Sequence, residues 1–120
     1  MINEAKRIES VADELAELNR KFYDKLLLSD EFYNQLMHSG FAYRQCFLVS
    51  IFPDSANTYY GQLIKQDGDV VEFDIDLDNA KYSSWENITV SFRELYEKNR
   101  STKPWLREVV AYDLFSKLSK

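Results

Sequence analysis

Three observations predict an α+β fold in which N- and C-terminal helices pack on a three-stranded, mainly antiparallel sheet. Apolar residues recur at intervals of three and four in the first and last parts of the chain, as on one face of a helix. Residues 41–78 are rich in aromatic and β-branched residues, many of them alternating with polar ones. The dipeptide Asp67-Gly68 divides this stretch at a hairpin turn. The predicted order of elements is α-α-β-β-β-α-α.

Length and composition are those of a small globular protein. The chain has 120 residues, of which 45% are hydrophobic and 29% charged, so we expect residues 1–120 to form a single domain. The N-terminus lacks the apolar segment of a secretory signal, and no apolar run approaches the ~20 residues that a membrane span needs. The single cysteine, Cys46, excludes an internal disulfide. The expectation is a cytoplasmic protein without membrane contact.

The net charge of −5 is concentrated in one segment. Residues 67–86 contain seven acids and one base, whereas residues 1–66 carry a net charge of −2 and residues 87–120 one of +3. A local negative field of this kind favours a basic partner and disfavours nucleic acid.

The first segment, residues 3–28, is predicted to be an amphipathic helix with Asn3 at its N-cap. Its apolar stripe has the spacing of a short heptad seam and consists of Ile8, Val11, Leu15, Leu18 and Phe22. Two interpretations follow from this stripe. It packs on the sheet of its own chain, or it pairs with a second copy in a homodimer.

A second, shorter helix is predicted to begin after Ser29, an N-cap residue followed by acids in the first turn. Gly40 is predicted to end this helix at the C′ position. Its apolar members are Phe32, Leu36 and Met37. Residues 41–52 are predicted to form the central strand, because both alternating sets of side chains in this stretch contain apolar residues.

A hairpin is predicted from the segments Thr58–Gln66 and Asp69–Leu77. The turn between them, at Asp67-Gly68, is predicted to be of type I′, in which both central residues have positive φ. Pairing of the two strands would place Tyr60 and Gln62 near the acidic residues of the second strand.

Two helices are predicted to complete the chain. The first lies within residues 84–98, because Ser83 and Glu86 have the spacing of a capping box. Its buried stripe would be Ile88, Phe92, Leu95 and Tyr96. The second has Pro104 at its first position. Its inner face would consist of Leu106, Val109, Val110, Leu114 and Leu118.

The most unusual feature is an acidic ladder of alternating carboxylates on the second strand of the hairpin, formed by Glu72, Asp74, Asp76 and Asp78. These carboxylates would share one face of the sheet with a spacing of ~6.5–7 Å. Tyr60 and Trp85 are predicted to lie beside this acidic ladder. Aromatic anchors next to charged groups are typical of protein interfaces. The predicted partner-binding residues are therefore Glu72, Asp74, Asp76, Asp78, Tyr60 and Trp85.

Two other interpretations of the ladder remain open. It is the solvated face of an edge strand, where charge discourages aggregation, or it is the start of a calcium loop. The second has less support, because Asn79 and Trp85 occupy the positions at which that loop requires glycine and glutamate. One cysteine and one histidine, His38, do not provide a zinc ligand set. We therefore expect no metal and no cofactor.

The sequence thus predicts a small acidic binding or inhibitor protein that docks on a basic protein surface. Toxin-immunity proteins and nucleic-acid mimics share this small, acidic, single-domain character. No catalytic motif indicates an enzyme. The alternative is a small-molecule-binding or catalytic domain, with an aromatic pocket between helices and sheet. Its candidate residues are Tyr43, Tyr96, Tyr112 and a carboxylate such as Glu108.

Overall fold

The computed structural model describes residues 4–88 and 106–118, which form three α-helices and a four-stranded antiparallel sheet. The α+β class is confirmed, with one more strand than predicted. The helices are α1 (Glu4–Tyr23), α2 (Asp30–His38) and α3 (Leu106–Leu118). The strands are β1 (Cys46–Pro53), β2 (Thr58–Lys65), β3 (Val70–Asp76) and β4 (Ser84–Ile88). Short 3-10 helices precede β1 and β4, at Tyr43–Gln45 and Ala80–Tyr82.

The sheet has the order β1-β2-β3-β4, which makes β1 an edge strand and corrects its predicted central position. The prediction failed because both faces of the first half of β1 are buried although only one strand, β2, pairs with it. The segment 84–88 was predicted to be helical and is β4 instead. Its pairing with β3 outweighs the local capping-box spacing. Residues 89–98 of that predicted helix lie outside the described residues.

The hairpin between β2 and β3 is confirmed, but its turn is not of type I′. Lys65 donates its N–H to the carbonyl of Asp69, so three residues form the loop. Of these, only Gly68 has positive φ, at 92°. This is the three-residue hairpin loop in which a glycine occupies the left-handed position after a type I turn.

Helix α1 ends at Tyr23, five residues earlier than predicted. The chain reverses at Lys25, which has a φ of 57°, and the N–H of Leu26 bonds back to the carbonyl of Lys21. Its predicted N-cap, Asn3, lies outside the described residues. Helix α2 follows the prediction: Ser29 occupies the N-cap position, and Gly40 has a φ of 93° after the last turn.

The core lies on both faces of the sheet. On the α3 face, Phe47, Ile64 and Val70 pack against α3. On the opposite α2 face, the core consists of side chains from β1, β2 and β3 together with Phe32 and Leu36 of α2. Burial raises the pKa of the Cys46 thiol, which belongs to this second cluster, to about 11.

Helix α1 contributes to both clusters, because it runs along the β1 edge of the sheet. Leu15 belongs to the core of the α3 face and Phe22 to that of the α2 face, and both are fully buried. Val11 and Leu18 are partly buried against the core, and Ile8 is 37% exposed. The stripe of α1 therefore packs within its own chain, and Leu15 and Phe22 have no free surface for a second copy.

Side chains satisfy the outward main-chain groups of β1. Asn19 accepts the N–H of Leu48 at 2.6 Å and donates to the carbonyl of the same residue at 2.8 Å. Tyr23 donates its hydroxyl to the carbonyl of Cys46 at 2.5 Å. These contacts satisfy main-chain groups at the edge of β1, as hydrogen bonds from a neighbouring strand would.

Helix α3 begins, within the described residues, at Leu106, and the predicted start at Pro104 lies outside them. The predicted inner residues Val109 and Val110 are buried, but Leu118 is 66% exposed. Ala111 and Phe115, which the prediction omitted, are also buried. Within the described residues, no helix combines the length and the apolar character that a membrane span requires.

Candidate functional site

Beside helix α3, the described residues of the α3 face form an open groove of about 720 Å³. Strands β1 to β4 supply its floor, and the first turn of α3 forms one wall. Among the described residues, the charged residues and the exposed aromatic residues that line it are Phe52, Asp54, Tyr60, Glu72, Asp74, Glu86, Arg107 and Glu108. We call this region the acidic groove.

The strand register brings the predicted aromatic and acidic residues together. Tyr60 is directly opposite Asp74, and Gln62 is opposite Glu72, to which it donates a 3.3 Å hydrogen bond. Both carboxylates are exposed. The predicted adjacency of Tyr60 to the first half of the ladder is therefore present in the structure.

The ladder extends sideways onto β4. Glu86 is the register partner of Glu72, so two carboxylates face each other across neighbouring strands. Like charges in directly opposed positions destabilise a sheet. Strand β3 is internal, flanked by β2 and β4, which removes the interpretation that Glu72 and Asp74 protect an edge strand.

The second half of the ladder has local structural roles. Asp76 accepts hydrogen bonds from the N–H groups of Asp78 and Asn79, at 2.9 and 3.1 Å. Asp78 lies beyond the end of β3. Each of its two carboxylate oxygens accepts a 3.2 Å hydrogen bond from the side-chain amide of Asn57. These two carboxylates secure the turn after β3 and do not line the acidic groove.

Trp85 is not part of the acidic groove. It pairs with Phe73 and packs on the α2 face, with ring centroids 5.6 Å from Phe73 and 6.1 Å from Phe32. Its neighbours in sequence, Ser84 and Glu86, point to the groove because side chains alternate along a strand. The prediction that Trp85 lies beside the acidic ladder is thus corrected: it treated residues 84–98 as a helix, whereas alternation along β4 directs Trp85 to the opposite face.

An exposed pair of aromatic rings lies at the β1 end of the groove. Phe52 is the register partner of Tyr60, and their ring centroids are 5.3 Å apart. Phe52 is 49% exposed and Tyr60 47% exposed. Large rings that remain this exposed beside charged groups are typical of residues that anchor a protein partner.

The first turn of α3 adds one cation and one buried carboxyl to the groove. Arg107 donates its Nε–H to the carbonyl of Val49 at 2.6 Å and pairs with Glu14 at 3.3 Å, so its charge is already engaged. The Oε2 atom of Glu108 is buried and accepts no hydrogen bond from the described residues. Burial raises the pKa of the Glu108 carboxyl, against smaller lowering effects of its own backbone N–H and of Arg107.

We expect Glu108→Gln to raise the free energy of unfolding at pH 7.5. A raised pKa in the folded state means that folding disfavours the charged form, so stability falls as the pH rises above the unfolded value of about 4.3. The gain should vanish at pH 4, where the folded wild type already binds the proton. Urea denaturation at both pH values checks this, with the exposed Glu9→Gln as the control. A less stable Glu108→Gln variant at pH 7.5 would contradict it.

The residues of the alternative, enzymatic hypothesis are dispersed. Tyr43 packs on the α2 face, and Tyr112 lies against Gly68, so neither lines the acidic groove with Glu108. Tyr96 lies outside the described residues. Within residues 4–88 and 106–118, no three His, Cys, Asp or Glu side chains are grouped to hold a metal ion.

Sequence reasoning missed Phe52 and Glu86 as parts of the site. A signal for Glu86 was present, since Trp85-Glu86 continues the alternation of apolar and acidic residues seen in β3. Five residues are too few to separate that alternation from a helical pattern. Phe52 had no local signal, because its position depends on the register between β1 and β2.

Comparison with known protein families, curated proteins and solved structures gave no match for this chain.

Proposed function

We propose that this chain is a binding or inhibitor protein that docks a basic protein partner in the acidic groove. The observation that carries the proposal is the charge of the groove: among the described residues, five carboxylates line it, against one guanidinium that is already paired. The sequence-based proposal is thereby refined, with Phe52 and Glu86 replacing Trp85, Asp76 and Asp78 as contact residues.

Electrostatics of the free protein support a cationic partner. The opposed pair Glu72 and Glu86 repel each other across the sheet, and the buried Oε2 of Glu108 accepts no hydrogen bond from the described residues. A lysine or arginine side chain placed in the groove would offset the repulsion between these two glutamates. Complementary charge of this kind increases the rate of association and sets specificity.

The aromatic pair supplies the contact area that charge alone does not. Phe52 and Tyr60 together present an exposed aromatic surface at one end of the groove, with their ring planes inclined by 35°. The aliphatic stem of a lysine or arginine packs well on such rings, with its charged end directed to the carboxylates. The groove therefore suits a segment that combines basic and apolar side chains.

Capture of a partner from a lysate of the source cells tests the proposal. We expect the wild type to retain a basic protein that the groove variant Glu72→Gln/Asp74→Asn/Glu86→Gln does not retain. The control variant Glu9→Gln/Asp13→Asn/Asp24→Asn removes the same charge from exposed acids at or near α1 and should capture as the wild type does. Mass spectrometry identifies the protein, and circular dichroism verifies that the variants are folded. Equal capture by the wild type and the groove variant would contradict the proposal.

A further inference from the structure

The two edges of the sheet differ in how their main-chain groups are satisfied. At the β1 edge, side chains of α1 and α3 bond to Cys46, Leu48 and Val49. At the β4 edge, no hydrogen bond from residues 4–88 or 106–118 reaches the outward main-chain groups. A strand edge that the described residues leave unpaired is a template for an additional strand.

The register identifies which residues of β4 face outwards. Lys65 and Asp69 form a hydrogen-bonded pair at the start of the β2–β3 ladder, so Val71 and Phe73 also direct their main-chain groups towards β2. Their partners on β4 are Asn87 and Trp85, whose N–H and C=O groups therefore point away from β3. Two donors and two acceptors are thus presented along the β4 edge.

We propose that the basic partner binds by adding an extended segment to β4 as a fifth strand. This inference rests on the proposed function and specifies its mode of recognition. Side chains of an added strand alternate between faces, so one set would lie beside Glu86 and the other beside Trp85. The first set would be lysine or arginine and the second apolar.

The distances of a sheet suit this arrangement. Neighbouring strands are ~4.8 Å apart, so a residue opposite Glu86 lies about 10 Å from the backbone of Glu72. A lysine or arginine side chain spans most of that interval and reaches both carboxylates. A second copy of this chain would bring Glu86 near other acids and carries a net charge of −5, which makes a cationic segment the better occupant.

The test uses a fluorescein-labelled peptide of eight residues in which lysine and valine alternate, and measures its binding by fluorescence anisotropy. We expect Asn87→Pro to weaken binding at least tenfold, because proline removes an outward N–H that no described residue uses. Asn87→Ala should bind within twofold of the wild type, although it too loses the side-chain contact to Asp69. The same peptide with alternate amides N-methylated should bind at least tenfold more weakly.

The peptide comparison needs no variant, so it remains decisive if Asn87→Pro fails to fold. Equal binding of the methylated and unmethylated peptides would overturn the strand addition. If those peptides bind equally but the groove variant loses them, docking in the acidic groove stands and only its mode is wrong. If the wild type does not bind the unmethylated peptide, both proposals are contradicted.

Discussion

Asn19→Ala is expected to lower the free energy of unfolding by about 3 kcal/mol, because it leaves the N–H and C=O of Leu48 buried without partners. Asn19 is 2% exposed, and its amide also donates to the carbonyl of Leu15 at 2.9 Å. Helix propensity acts in the opposite direction, since alanine is the better helix former. A loss of stability would therefore be due to the edge contact and not to the helix.

Urea denaturation measures this effect, and the neighbouring residue provides the control. Arg20 is exposed and pairs with Glu17 and Asp24 on the surface of α1, so Arg20→Ala should destabilise the protein far less than Asn19→Ala. Equal costs for Asn19→Ala and Arg20→Ala would mean that Asn19 does not satisfy the edge of β1 as we describe.

Gly61→Ala is expected to destabilise the fold by about 3 kcal/mol or more, because its Cβ has no space. A Cβ built on Gly61 would lie 2.1 Å from the carbonyl oxygen of Ser50 and 2.9 Å from the ring of Phe73. The oxygen belongs to the backbone of β1, where the register shifts between Leu48 and Ser50. The strands must therefore separate at the floor of the acidic groove.

The sign of this effect is informative. In an ordinary strand, alanine is more stable than glycine by about 0.5–1 kcal/mol. A stabilised Gly61→Ala variant in thermal or urea unfolding would thus contradict the close approach of β1 and β2. Gln62→Ala, at the next position on the groove side, should change stability by only about 0.5 kcal/mol.

The sequence predicted those elements whose signal is local. The Asp67-Gly68 turn, the alternating residues of β3 and the capping signals of α2 each lie within a few residues, and each specifies its own conformation. Only the type of the turn was wrong. Because the turn determines how β2 pairs with β3, the adjacency of Tyr60 and Asp74 could also be predicted from the sequence.

The missed features depend on contacts between distant segments. β1 resembles a central strand because α1, more than 20 residues earlier, covers its edge through Asn19. β4 is strand because β3 pairs with it, against a local capping signal at Ser83. The composition of the acidic groove depends on both, since Phe52 and Glu86 enter it from the two outer strands.

The most direct test of the account compares the affinities of the two triple variants for the alternating lysine-valine peptide at low and physiological salt. Both variants lose three negative charges, so any difference between them reports position and not net charge. We expect the groove variant to bind about tenfold more weakly, equivalent to about 1.4 kcal/mol, and the control variant to remain near the wild type. Equal weakening of both variants would contradict a specific site in the acidic groove.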